Sequence, residues 1–427
     1  MGVKREDVRR LTETSPMNIL ILAEVSAAIV IGGAERVLRE QALGLQQGGH
    51  QVALVVRAPL EDSRSQVAVG AVTEHRYGVL RRNQCAFVLS SFFRSVQTFD
   101  RARSRDALDI VLVHQSMAGL GPILIRRASA RGWVYVCHSL AHEEYLSRTG
   151  EHSALFGRVA RALGAWLRRW CERMVMQRCS RVIVLSEFMK QRVMAAHRID
   201  ESTIHILPGG ADPVKFHPPA DRDEVRRCLG IPAGGVVLLA VRNLVARMGL
   251  DRLIQAMVQV EKEHPGVLLL IGGSGPLRQE LERLIADLQL ANRVRLLGFI
   301  AEEELPNYYQ AADVVLMPTH ELEGFGLVTV EALACGTPVL GTPVGAIPEV
   351  LARLDSGLIT KGSDPDSLAL AIDLVLSRFR EQPGEQERLS IKGRTLVMEN
   401  YNWSRHNEQL DLLLQEVCDH FSIPSRG

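Results

Sequence analysis

The sequence predicts an α/β protein built of two doubly wound, Rossmann-like domains. Three observations carry this expectation. Short apolar runs alternate with stretches of helical periodicity along the whole chain, a Gly-containing turn follows the first run, and a Pro- and Gly-rich break lies near the middle. Length agrees, since 427 residues exceed the roughly 250 to 300 that one hydrophobic core supports.

Met17 to Ala23 (MNILILA) reads as a buried strand, and Gly33 to Leu45 places Ala34, Val37, Leu38 and Gln41 to Leu45 near one helical face. Gln51 to Arg57 (QVALVVR) follows as a second strand, so the chain opens like a parallel sheet. Asp109 to Val113, Trp133 to Cys137 and Arg181 to Leu185 continue the pattern. Leu207 to Pro219 (LPGGADPVKFHPP) holds four prolines and two glycines, which cannot sit inside a helix or a central strand, and the linker is placed there. A second series comprises Val236 to Val241, Val267 to Ile271, Val294 to Leu297, Val314 to Met317 and Thr337 to Leu340. The expected division is a charged, flexible tail over residues 1–16, a first domain over 17–212, a second over 213–400, and a terminal segment over 401–427 that is helical in period from Trp403 to Cys418. A ligand of such an architecture belongs at the carboxyl ends of the strands, in the crevice between the domains.

Composition narrows the class. With 46% apolar, 23% charged and 5% aromatic residues, the chain is neither disordered nor collagen-like. It has no uninterrupted apolar stretch of the roughly 18 residues that a membrane span needs. The opening MGVKREDVRRLTETSPMN lacks the apolar segment of a signal peptide, and a cytoplasmic protein is expected. Seven scattered cysteines fit neither a disulfide framework nor a paired CxxC zinc site. Neither HExxH nor a Cys/His cluster is present, and the two DxD spellings, Asp221 to Asp223 and Asp364 to Asp366, read as helix caps; no metal is expected. Residues 1–220 hold 30 Lys and Arg against 20 Asp and Glu, whereas residues 221–427 hold 20 against 29. A basic first half suits an anionic partner. Within it, Leu155 to Arg181 carries seven arginines and one glutamate, with Trp166 and Trp170 four apart. Such a helix either lies on an anionic membrane surface or packs its apolar stripe on its own sheet. Residues 81–105, with aromatics between arginines, form a second basic stretch. No recognition motif accompanies this charge, so nucleic acid is not an expected partner.

The stretch richest in chemistry is His320 to Glu349, HELEGFGLVTVEALACGTPVLGTPVGAIPE. Glu323 lies in a loop and Glu331 more than one turn into the helix that follows, so both can face one ligand at different points. Gly324 and Gly326 permit close backbone approach, and the N–H groups near Phe325, Gly326 and Leu327 open the helix with a positive dipole end. That combination is an anion site. A diphosphate fits it, with one carboxylate left for sugar hydroxyls and the other for ribose hydroxyls.

The Glu, seven residues, Glu pattern within LEGFGLVTVEALACGTPV resembles the donor-site signature of glycosyltransferase family 4, retaining enzymes of the GT-B fold. Gly32-Gly33-Ala34-Glu35-Arg36, His138 after WVYVC, Val184-Leu185-Ser186-Glu187, Pro208-Gly209-Gly210-Ala211-Asp212, Gly272-Gly273-Ser274-Gly275-Pro276 and Leu297-Gly298-Phe299 are similar to further family motifs and keep their order. GGSGP lacks a full G-x-G-x-x-G context, which argues against a nicotinamide cofactor.

The resemblance implies a GT-B fold whose C-terminal domain binds a nucleotide diphosphate sugar as substrate and whose N-terminal domain binds the acceptor: a sugar, a lipid-linked group or a small molecule. No cofactor is implied. Glu331 would hold the ribose hydroxyls, and Glu323 the hydroxyls of the transferred sugar beside the reacting centre. Backbone N–H groups from Phe325 through Gly326 and Leu327 to Val328 would bind sugar and phosphates, and Phe299 and Ile300, after Gly298, would offer backbone to the base. Gly33, beside Gly32, would close against the diphosphate, and His138 would approach the sugar. The terminal helix would cross back to the first domain. In one place the chain departs from the family, which has an Arg-Leu pair with Lys-Gly beginning five residues after the Arg. Here Asn243 and Met248 take the two cationic positions, with Arg242 and Arg247 each displaced by one residue. The expectation is that both arginines still serve the leaving diphosphate. Beside the transferase stand a catalytically weakened nucleotide-sugar-binding protein and a phosphorylase or epimerase on the same donor class.

Overall fold

The computed structural model describes residues 15–422 apart from 61, 63, 104–106, 150–154 and 233. The expected tail therefore falls outside the described residues up to residue 14.

The first domain is a sheet of β1 (Asn18–Ala23), β2 (Gln51–Arg57), β3 (Gln66–Val69), β4 (Val72–Tyr77), β5 (Leu108–Val113), β6 (Ala130–Cys137), β7 (Arg181–Val184) and β8 (Ile204–Ile206), in the order β3-β4-β2-β1-β5-β6-β7-β8. Every pairing is parallel except β3 with β4. Helices α1 (Gly33–Gln47), α2 (Gln84–Ala102), α3 (Ser116–Ile125), α4 (Ala141–Arg148), α5 (Leu155–Met176) and α6 (Glu187–His197) connect the strands. One apolar cluster gathers Ile19, Ile21, Leu54 and Ile110, while another gathers Leu20, Leu22, Val55 and Val111. Alternate residues of the same strands thus feed two cores, which is why these strands read as continuous apolar runs.

The second domain is a parallel sheet in the order β11-β10-β9-β12-β13, from β9 (Val237–Val241), β10 (Leu268–Gly272), β11 (Val294–Gly298), β12 (Val314–Met317) and β13 (Val339–Gly341). Its helices are α7 (Arg222–Cys228), α8 (Leu250–Glu263), α9 (Arg278–Asp287), α10 (Leu305–Ala311), α11 (Leu327–Ala334), α12 (Ile347–Leu354), α13 (Pro365–Glu381) and α14 (Glu385–Asn400). Asp221 and Asp364 cap α7 and α13, accepting first-turn N–H groups. The last helix, α15 (Trp403–Ser422), leaves this domain and buries Leu410, Leu413, Leu414 and Val417 in a core of the first.

Two local differences from the sequence reading have physical causes. The strand expected at Thr337 to Leu340 begins at Val339, because Thr337 donates its N–H to Ala332 O and its hydroxyl to Tyr309 O and so finishes α11. The β3–β4 hairpin was not anticipated, since Val72–Tyr77 (VTEHRY) turns charge inward. Glu74 is fully buried and accepts from Arg76 Nε (2.6 Å), Ser26 Oγ (2.7 Å) and Ala27 N (2.8 Å), which pins the loop leading from β1 toward Gly32.

Candidate active site

Each sheet reverses its winding once, and the site forms where both reversals face each other. In the second domain the chain runs outward from β9 to β11 and returns to β12 on the other side, so the ends of β9 and β12 leave a crevice between them. Arg242 follows β9, and the loop bearing Thr319 and Glu323 follows β12. In the first domain the reversal lies between β1 and β5; His114 follows β5 and His138 follows β6.

The loop is held in an uncommon shape. Leu322 adopts φ +56°, a left-handed conformation costly for a bulky side chain, and its carbonyl accepts from Arg247 Nη1 at 2.9 Å. Glu323 O accepts from Ala346 N at 3.0 Å. The Glu323 carboxylate is thereby aimed at Arg242, whose Nη2 donates to it and to Thr319 Oγ1. Arg242, expected to reach the leaving diphosphate, is instead engaged by Glu323. The guanidinium is nearly buried at the foot of the crevice, where an uncompensated charge is costly and the nearest carboxylate offsets it.

Beyond Glu323 the chain must pass close to the other domain. A Cβ on Gly324 would stand 2.7 Å from His138 O, so only glycine fits, and the Gly324 carbonyl accepts from Ser186 Oγ at 2.6 Å. Gly326, at φ +82°, then turns the chain into α11, whose first turn no side chain caps. Phe325 and Leu327 bury their side chains in the core, so the junction presents backbone to the cleft. Gly33, the first residue of α1, abuts Leu327: its Cβ would lie 3.6 Å from Leu327 Cδ1.

Glu331 lies in the second turn of α11 and is almost fully buried. It pairs with Arg36 of α1 at 3.0 Å and accepts from Tyr309 OH at 2.9 Å. Burial opposes the charge of Arg36, but Glu331 and Glu302 more than offset it and hold its pKa above the usual value. Burial and Glu331 push the Tyr309 phenol well up, so it remains a donor. Glu302 in turn binds Arg39 at 2.8 Å and Lys215 at 2.7 Å. The expected ribose ligand thus has a rival within the chain, since Arg36 reaches it from the opposite domain.

His138 Nε2 lies 3.0 Å from His114 Nδ1; the His114 ring is buried and His138 is half-buried at the cleft. Burial, with His406 nearby, lowers the His138 pKa to about 4, and burial keeps His114 well below its ordinary value. His138 is therefore neutral near pH 7, with Nδ1 buried and unpartnered. The domains are stitched beside it, for Glu349 of α12 accepts from Glu187 N (3.0 Å) and Phe188 N (2.7 Å) at the start of α6.

The displaced cations resolve by burial. Met248 sits in the core and Asn243 is exposed, while Arg247 lines the cleft with Ser139, Glu143, Glu144 and Phe188. Gly32 is the N-cap of α1. Gly298 (φ +81°) ends β11, at the far edge of the sheet, where Phe299 is exposed and Ile300 is buried. The structure thus gathers Gly33, His138, Arg242, Arg247, Glu323 and the start of α11, and leaves Gly298 to Ile300 at one end. Sequence reasoning missed Arg36, although GGAER contains it, as well as Tyr309, Glu302 and His114. It also singled out none of His142, Glu172 and His197, which bring one ligand atom each to within 4.8 Å of one another.

Comparison with known proteins agrees with this architecture. Residues 31–215 match the model of glycosyltransferase family 4, and residues 221–395 that of glycosyl transferases group 1. The chain is 31% identical to the D-inositol 3-phosphate glycosyltransferase of Corynebacterium urealyticum over 363 residues, covering 81% of this chain and 82% of that protein. Sucrose-phosphate synthase from Thermosynechococcus elongatus is similar in structure, with a TM-score of 0.78 at 22% identity, covering 94% of this chain and 100% of that one. Anabaena HepE, solved in complex with UDP-glucose, gives 0.71 at 21% identity, covering 94% and 100%. Among the described residues no helix is long and apolar enough to cross a membrane. The two matched halves, the two facing doubly wound sheets and the loop–helix junction between them place the chain in glycosyltransferase family 4, with the GT-B fold: it is a glycosyltransferase.

Proposed function

We propose that this transferase moves a hexose from a nucleotide diphosphate sugar to an acceptor hydroxyl with retention of configuration, without a catalytic metal. The observation that carries this reading is the junction itself: a buried carboxylate, Glu323, beside an uncapped helix start, facing His138 and Gly33 across the cleft. The N–H groups at that helix start bind the diphosphate, with Arg247 as the cleft-lining cation. Fixed dipoles and cations of this kind stabilise charge as it develops on the leaving group. Glu323, held by Arg242 and Thr319, accepts from hydroxyls of the sugar, and neutral His138 bonds the sugar from the other side. Retention follows a front-face course: the anomeric carbon loses the diphosphate oxygen, the acceptor oxygen attacks from the same face, and the departing oxygen takes the acceptor's proton. HepE was solved with UDP-glucose, a relative from Corynebacterium glutamicum is named as GDP-mannose-dependent, and the Corynebacterium urealyticum relative is named for an inositol phosphate; these names support a UDP- or GDP-hexose donor and a polar, anionic acceptor.

Thermal denaturation with UDP, GDP, ADP and their hexose conjugates identifies the donor, and transfer to inositol phosphates or phosphoinositides, with the product anomer read by NMR, tests the reaction. Selective stabilisation, an α-product from an α-donor, and a rate unchanged when magnesium and manganese are omitted are expected. If none of the sugar nucleotides stabilises the protein or is consumed, the reading fails. Product formed without acceptor, or only with inorganic phosphate, would assign an epimerase or a phosphorylase instead.

The same reading places the enzyme in the cytoplasm, docked on an anionic membrane through α5. The inward face of that helix buries Ala165, Cys171 and Val175, whereas Val159, Leu163, Trp166 and Trp170 form an exposed apolar stripe beside Arg158 and Arg169. Such a face partitions into the headgroup boundary of anionic bilayers. The protein is expected to float with phosphatidylserine vesicles at low salt, and Trp166→Ser with Trp170→Ser to remain at the bottom of the gradient with an unchanged Tm. Flotation of the double variant equal to that of the wild type removes α5 as the docking face.

A further inference from the structure

We propose that His142, Glu172 and His197 form a zinc site that ties α4 to α5 and α6, behind the wall of the cleft. Each ligand comes from a different helix, and the three meet where the first domain is well packed: Glu172 and His197 are almost wholly buried, and the His142 side chain is 13% exposed.

The distances suit one ion. Glu172 Oε2 lies 2.9 Å from His197 Nε2 and 3.9 Å from His142 Nδ1. Zinc–ligand bonds of about 2.0 to 2.1 Å in tetrahedral geometry set neighbouring ligand atoms about 3.3 Å apart. The two Glu172 separations straddle that value and the third, between the imidazoles, is within 4.8 Å, so side-chain shifts of up to about 1.5 Å complete the site.

The surroundings orient the ligands as a metal site requires. Glu172 Oε1 accepts from Tyr135 OH and Ala141 N, each at 3.3 Å, which leaves Oε2 turned toward the imidazoles; the Ala141 N–H also reaches Oε2 at 3.2 Å. His142 Nε2 lies 3.9 Å from Glu143 Oε1, an ion-pair distance with no hydrogen bond, and that oxygen also accepts from Arg192 Nη2. A plain ion pair leaves His142 Nδ1 unexplained, whereas His197 Nδ1, the ring atom turned away from Glu172, is unpartnered with or without a metal. His142 Nδ1 faces the carboxylate yet is buried with no hydrogen-bond partner, and a metal takes its lone pair.

Two imidazoles and one carboxylate form a donor set that suits zinc better than magnesium or calcium, which prefer oxygen. A water completes the coordination on the partly exposed side of His142. Ser139, Leu140, Glu143 and Glu144 line the cleft around this helix start, so the metal would fix the acceptor wall and take no part in the transfer step. The inference therefore goes beyond the proposed reaction and stands apart from it.

The test uses the full chain, stripped with EDTA, dialysed, and titrated with zinc sulfate by calorimetry and thermal denaturation. One zinc per chain is expected, with a rise in Tm of several degrees. In His142→Ala, affinity is expected to fall at least about a hundredfold and the rise in Tm to vanish. Glu172→Gln keeps the size of the side chain and should likewise lose zinc. If that variant does not fold, His142→Ala decides alone, its fold checked by circular dichroism. Cobalt(II) supplies an independent reading, since a four-coordinate site gives intense visible bands in the wild type that His142→Ala should lack. Absence of stoichiometric zinc binding, or equal zinc and cobalt signals in His142→Ala, overturns the proposal; in either case the cluster is a buried ion pair only.

Discussion

Glu323 and Glu331 stand on one loop–helix junction, eight positions apart, yet different halves of the molecule hold them. The partners of Glu323 belong to its own domain: Arg242 after β9, Thr319 after β12, and the Ala346 N–H on its carbonyl. Glu331 is held by Tyr309 of its own domain and by Arg36 from the other. The position of the first carboxylate is therefore a property of one folded domain, whereas that of the second depends on how the domains meet. Opening the cleft must part Arg36 from Glu331 and Arg39 from Glu302. Were Glu331 to take the ribose as proposed, closure would compete with it for the same carboxylate, and donor binding would be coupled to domain position.

Breaking the pair confined to one domain should give the largest effect. Glu323→Gln keeps the shape but removes the charge, leaving Arg242 buried without its counter-ion. Transfer is expected to fall by about 10² to 10³, or roughly 3 to 4 kcal/mol in the barrier, if the carboxylate acts at the reacting centre. Initial rates at saturating donor measure this, and a rate within threefold of wild type moves the chemistry away from Glu323. Arg247→Ala should cost less, about tenfold in turnover, because helix-start N–H groups share its task.

Breaking the pair between domains should act on stability first. Arg36→Ala strands Glu331 in a buried site with Tyr309 as its remaining named partner, and the expected loss is about 3 kcal/mol, read from the urea midpoint. Arg36→Lys should recover part of it, because an ammonium still pairs but cannot fork across two carboxylates. Equal midpoints for all three proteins would mean that the pair contributes nothing to closure and that the two glutamates do not differ as described.

The same contrast explains what could be read from the sequence. The doubly wound fold is visible because strands buried on both faces spell uninterrupted apolar runs, as in MNILILA and QVALVVR. The geometry of the junction is visible because Glu323, Gly324, Gly326 and Glu331 are contiguous, and a loop running into a helix fixes their relation. Arg36–Glu331 is not visible, since residues almost three hundred positions apart meet only once two domains face each other. Glu74 and Arg76 hid β4 by placing charge where alternation calls for apolar residues, and their partners Ser26 and Ala27 lie on a distant loop. His142, Glu172 and His197 have no ligand-like spacing because three helices supply them. The register of Arg247 against Met248 needed the core to decide it: Met248 fills apolar space, which leaves Arg247 for the cleft.

A smaller effect comes with pH. His406 ties α15 to the first domain: Nδ1 donates to Pro208 O at 2.8 Å, and Nε2 accepts from the Gln41 amide of α1 at 2.9 Å. Burial lowers its pKa from 6.5 to about 4. The folded state therefore binds its proton less readily than the unfolded chain. The stability this group contributes is complete above pH 6.5 and is lost as pH falls from there toward 4, reaching roughly 2 kcal/mol at pH 5. His138 and His114 act in the same direction, so a single substitution should flatten the dependence without abolishing it. Urea midpoints at pH 7 and pH 5 are expected to differ less in His406→Gln than in the wild type, because glutamine keeps a polar contact but does not titrate. The Arg36–Glu331 tie makes a useful contrast: Arg36 keeps its charge throughout this range, so Arg36→Lys should shift both midpoints together. Equal pH dependence in wild type and His406→Gln would mean that His406 titrates alike in the folded and unfolded chains, and that the acid sensitivity of the fold belongs to the histidines at the cleft.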